Sequence, residues 1–175
     1  MGLGLNLLRI FRIEWQIKKH IKMSRFFYYK IPLFGKFISA SLDRFLFIIY
    51  GIELMSFSIN VSKLSITHPG GILLGGNGVF SEGRVVIMSG VKFGGRSPND
   101  KLYLEKHKQQ RVFELGDNVV IGTSSTILGP ITICDNVLIA SMSLVNKSIT
   151  EPGVYAGIPV KKISDQISYD WVSNI

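Results

Sequence analysis

The sequence predicts an all-β core wound as a parallel β-helix of hexapeptide units, behind a short α-helical N-terminal segment. Three observations predict it. Large aliphatic residues recur at every sixth position in the second half of the chain. Glycine and β-branched residues become frequent after residue 51. Helical spacing of apolar residues is confined to the first fifty or so.

Residues 1–50 are expected to be helical, basic and aromatic-rich. Leu7, Leu8, Ile10, Phe11, Trp15 and Ile17 mark an apolar stripe within residues 5–24, and Pro32 and Gly35 interrupt it. Residues 38–50 form a second helical candidate that ends at Gly51. This segment holds nine Lys/Arg against two acids, whereas residues 51–175 hold eleven against ten, so nearly all of the net charge of +8 lies at the front. Cations mixed with Phe and Tyr suit a helical cap with solvated lysines or the surface of an anionic membrane. They also suit nucleic acid, which is not an expected partner. No stretch reaches the length of a spanning helix. The opening residues lack the cleavage site of a leader, and Asn6 stands where a myristoylation signal carries Ser or Thr. A hydrophobic share of 46% argues against disorder. The single cysteine, Cys134, excludes an internal disulfide and fits a reducing cytoplasm, with the inner face of the membrane as the possible setting for residues 1–50.

Residues 51–165 carry the repeat. Reading every sixth position from Leu115 gives Leu115, Ile121, Ile127, Ile133, Ile139 and Val145. An earlier register runs through Leu73, Val79, Val85 and Val91. The fifth position of each later unit is Val119, Ser125, Ile131, Val137, Ser143 or Ile149. Neither a helix nor an ordinary strand has a period of six, whereas a parallel β-helix does. Each unit makes one flat face, and its aliphatic points inward onto the same position of the next coil. These residues are core. The period fails once, over "GRSPNDKLYLEKHKQQRV" (95–112), a polar excursion expected to leave one corner between about 95 and 113. It fades again in "KSITEPGVYAGIPVKKISDQ", and residues 166–175 are expected to form a tail, with a short helix carrying Trp171.

The units in "LGDNVVIGTSSTILGPITICDNVLIASMSLV" and the ending "AGIPVKKI" resemble the left-handed β-helix acyltransferases, in the subgroup of serine acetyltransferases and polysaccharide O-acetyltransferases. Val160 replaces that family's usual alanine in the ending. The resemblance covers roughly residues 51–165. It implies a homotrimer, with active sites between neighbouring β-helices and acetyl-CoA lying along the groove.

It also gives "THPGGILLGG" a meaning, because the family's catalytic histidine precedes a glycine and an aliphatic run. His68 takes that place, and Glu53 in "YGIEL" falls fifteen residues upstream, where the family has a carboxylate, often aspartate. Near one coil apart, the two are expected to meet at one corner. A neutral imidazole accepts a hydroxyl proton as the oxygen attacks a thioester, and a carboxylate fixes its tautomer. The resemblance implies acetyl-CoA contacts at Gly95, Thr123, Ser141, Lys161 and Lys162. The last two would meet the nucleotide's phosphate. Serine acetyltransferases carry a second histidine where "QRVFELGDN" has Val112. That departure turns the expectation toward a sugar hydroxyl acceptor in surface polysaccharide synthesis. Serine or another small molecule is the alternative, and a non-catalytic trimeric scaffold the second. His107, in the excursion, is a spare histidine. A zinc site of three histidines is not expected, since only His68 lies in the coils.

Overall fold

The computed structural model describes residues 12–97 and 99–168. Two helices open it: α1 (Ile13–Lys30) and α2 (Gly35–Tyr50). α1 runs past the expected end near residue 24 because nothing breaks it before Pro32. Leu7, Leu8, Ile10 and Phe11 lie outside the described residues. Ile17, Ile21 and Ser24 turn inward on α1, and Ser39, Asp43 and Leu46 do so on α2. Gly51 stops α2 at a φ of 65°, the left-handed cap that glycine enters without a Cβ penalty.

The coils follow as β1 (Glu53–Leu54), a 3₁₀ turn (Ser56–Ser58), β2 (Ile59–Thr67), β3 (Leu73–Leu74), β4 (Val79–Met88) and β5 (Lys92–Gly95). Beyond the excursion come β6 (Phe113–Leu115), β7 (Val119–Ile121), β8 (Thr126–Gly129), β9 (Ile131–Ile133), β10 (Val137–Ile139) and β11 (Leu144–Val145). One sheet has the order β1-β3-β5-β8-β11. The other runs β13-β12-β10-β7-β4-β6-β9, with β2 on β4. Its last strands, β12 (Gly153–Gly157) and β13 (Val160–Ser164), form the antiparallel pair; all other paired strands are parallel. Val119 faces Val137 and Thr126 faces Leu144, one coil of three hexapeptides apart.

The six aliphatics from Leu115 to Val145 are all buried, none more than 4% exposed. The fifth positions are buried too. Ser125 and Ser143 are tolerated there because their hydroxyls bond to Ala140 O and to the Gly157 N–H. The earlier register needs one correction. Leu73 is only partly buried, and Leu74 takes the inward place in a column with Leu54, Phe93, Ile127 and Val145. The reason is one added residue: four, 75–78, join Leu74 to Val79, where three, 128–130, join their stacked counterparts Ile127 and Ile131. The corner before it is longer too: five residues, 68–72, join Thr67 to Leu73, where three, 89–91, join their partners Met88 and Lys92.

The excursion is not a plain loop. It contains α3 (Lys101–Lys108), whose Asp100 cap accepts from the Leu102 and Tyr103 N–H groups. Lysine and leucine in its middle favour a helix once a cap is present. The C-terminal basic pair stands on strand β13, within a hairpin. Trp171 lies outside the described residues. Among those residues no helix is long and apolar enough to cross a membrane.

Candidate functional site

Left-handed residues stack up one corner of the coil: Gly51, Gly71, Gly90, Ser124 and Met142 all have positive φ. Hydrogen bonds tie the successive turns, from Gly71 N–H to Gly51 O and from Met142 N–H to Thr123 O. His68 sits at this corner, in the lengthened turn, with its own φ at 53°. Two extra residues push the turn outward, so its imidazole is exposed rather than packed. Histidine tolerates this region better than a β-branched residue would.

Glu53 lies on the coil before, paired in register with Leu73. Both sequence-predicted catalytic residues therefore flank one corner on adjacent coils. Their side chains make no hydrogen bond or ion pair with each other or with other described residues. Glu53 also lines a cavity of about 300 Å³ between α2 and the first coil, with Lys36, Arg44, Phe47 and Met55. Next to His68, the Thr67 hydroxyl is buried without a hydrogen-bond partner. Sequence reasoning passed over Thr67; its place before the histidine was the only signal.

Thr123 and Ser141 stand on higher coils at the same corner, close to Met88 and above Gly122. Gly95 is at the next corner, at the end of β5, where the Tyr103 ring covers it. A Cβ there would lie 2.7 Å from that ring. Tyr103 in turn donates to Asn77 Oδ1 at 2.7 Å, which holds α3 against the coils. His107 stacks on Tyr103, 5.8 Å between ring centres. Val112 is fully buried, so no polar side chain reaches solvent from that position. Its neighbour Arg111 lies over the Phe80 ring at 3.7 Å.

Lys161 and Lys162 are both exposed but differ. The Lys162 ammonium pairs with Asp165 at 2.5 Å and Glu151 at 3.3 Å. The hydrogen bond to Asp165, then the one to Glu151, raises its pKa against the desolvation that lowers it. Lys161 has no ion pair among the described residues. Burial pushes the Cys134 thiol up, keeping it from thiolate form.

Residues 114–147 match the bacterial transferase hexapeptide (six repeats) family. The chain is 34% identical over 109 residues to a serine acetyltransferase of Staphylococcus epidermidis, covering 62% of this chain and 47% of that protein. It is 28% identical over 128 residues to serine acetyltransferase 2 of Arabidopsis thaliana, covering 73% and 37%. The chain thus spans less than half the length of these curated relatives. Among solved structures, a Brucella abortus serine acetyltransferase superposes with a TM-score of 0.72 at 23% identity, covering 86% of this chain and 56% of that one. The same enzyme in complex with coenzyme A gives 0.64 at 20%, again covering 86% and 56%. These likenesses show the fold. They also correct one expectation: the sugar acceptor drawn from Val112 is overturned, because the relatives matched are serine acetyltransferases.

Proposed function

We propose that the chain is an acetyl-CoA-dependent O-acetyltransferase of serine or a similar small hydroxyl acceptor, wound as a left-handed β-helix. The observation that carries this is the 34% identity to a serine acetyltransferase over 109 residues. The exposed histidine in a lengthened corner supports it, because a general base must reach its substrate.

In this reading His68 takes the acceptor's hydroxyl proton as the oxygen attacks the acetyl thioester. Glu53, flanking the same corner, steadies the imidazolium that forms. Coenzyme A leaves as the thiolate and regains a proton. No covalent acyl-enzyme is needed, which fits a Cys134 kept as thiol. Thr123 and Ser141, stacked above His68, line the donor's path with Gly95 at the next corner. Lys161 meets the donor's phosphate, and Lys162, held by two carboxylates, gives it less. Three copies complete the assembly, their grooves lying between neighbouring β-helices.

The test is thiol release from acetyl-CoA by the purified chain. L-Serine is expected to accelerate release saturably, and acetylserine to appear in step. A rate independent of serine and of other small hydroxyl acceptors overturns the proposal.

A further inference from the structure

Lys18, Lys22 and Arg25 are spaced i, i+4 and i+7 on α1, which gathers them on one stripe. The stripe borders a groove of about 540 Å³. The opposite wall is β2, with Asn60, Ser62 and Lys63, and Arg84 reaches in from β4. Five cations line this groove and no carboxylate does. Lys63 and Arg84 are direct register partners on neighbouring strands, a placement of like charges that Asp117, beside both, offsets only in part.

The nearest acids offset part of this charge and leave the groove net positive. Glu14 pairs with Lys18 at 2.8 Å and accepts from the Ser65 hydroxyl. Asp117 accepts from the Arg84 N–H at 2.6 Å and lines a neighbouring cavity with Lys63, so its charge acts on both cations. Lys22 and Lys63 form no ion pair among the described residues. Arg25 donates to Ile59 O, which fixes its guanidinium at the groove's edge.

We propose that this groove binds a phosphate-bearing ligand, a phosphomonoester or phosphodiester group. Its volume suits a small ligand or a head group. Two arginines and three lysines suit a multiply charged anion better than a single carboxylate. Asn60 and Ser62 add neutral donors. The ligand comes either free in solution or as the head group of an anionic lipid; Phe26 and Tyr29, exposed on the same helix, favour contact with the lipid. The site lies on the first coil, away from the Lys161–Lys162 hairpin, and the proposal does not rest on acetyl transfer.

Two probes are applied to the whole chain: calorimetric titration with inorganic pyrophosphate, and co-sedimentation with phosphatidylglycerol vesicles against phosphatidylcholine vesicles. Saturable binding to either anionic probe is expected, at least tenfold weaker in the K22Q/K63Q double variant. Acetyl-CoA affinity and the melting temperature should stay as in the parent. Binding to pyrophosphate alone identifies a free phosphate ligand, and binding to vesicles alone identifies a head group. Failure of both probes overturns the site, as does binding that survives the double variant. Joint loss of acetyl-CoA binding in that variant also overturns it, since the groove then belongs to the donor. A chain that binds pyrophosphate through Lys22 and Lys63 yet transfers no acetyl group leaves this site standing and removes only the enzymatic reading.

Discussion

Asp43 on α2 accepts both the N–H and the hydroxyl of Ser56, at 2.8 and 2.5 Å, and so ties the helical segment to the first coil. Ser24 on α1 donates to the same carboxylate at 2.9 Å. A buried acid with three donors is satisfied without a cation. Asp43→Ala leaves the two Ser56 donors buried without an acceptor, while the Ser24 hydroxyl turns to Ser39. It is expected to lower unfolding free energy by about 2–4 kcal/mol, since each orphaned donor costs roughly 1–3. Urea titration checks this, and a loss below about 0.5 kcal/mol denies the tie.

His68→Ala should reduce acetyl transfer by ~10²–10⁴-fold, the usual contribution of a general base. Acetyl-CoA binding should persist. Steady-state rates beside calorimetry separate the two effects, and an unchanged rate removes His68 from the mechanism.

Ile121 is fully buried between Ile87 below and Ile139 above. Ile121→Ala opens a void that the stacked coils cannot collapse to fill. About 2–5 kcal/mol of stability is expected to be lost, measured by denaturant melting.

Gly95→Ala drives a methyl against the Tyr103 ring and should detach α3 from the coils. Pairing it with Tyr103→Ala removes the collision. Hydrogen exchange over residues 101–108 is expected to rise in both variants, whereas Gly95→Ala should lower unfolding free energy in the parent but hardly at all in the Tyr103→Ala background. An equal cost in both backgrounds denies the contact.

Burial raises the pKa of Glu14, but Lys18 and Ser65 lower it more, leaving it below the usual carboxylate value. A lowered folded pKa adds stability above the unfolded value, about 4.3, and that stability is lost as pH falls through the folded value. Fluorescence of Trp15, on the same helix, should report α1 loosening from β2 below about pH 4 before the coils melt. Glu14→Gln should abolish this early step, and its persistence in that variant assigns the step elsewhere.

The repeat was readable because each inward position meets its own kind eighteen residues on, so one period carries the whole stack. Leu73 was misread because one added residue between Leu74 and Val79 shifts the register locally. The helix in the excursion was missed because its apolar residues are few and its stability comes from the Asp100 cap and from Tyr103 over Gly95. His68 and Glu53 could be named from spacing and resemblance. Their exposure at one corner could not, since it follows from how Gly51 and Gly71 stack.

The sequence alone determined the coil, its inward residues and the helical, basic front, because each depends on local periodicity and composition. The tertiary structure decided which charges meet. Lys162 is neutralised by Glu151 and Asp165 across a hairpin, while Lys22 and Lys63 converge from a helix and a distant strand into one groove. Those relations span many residues, and Coulomb energy depends on distance in space rather than along the chain.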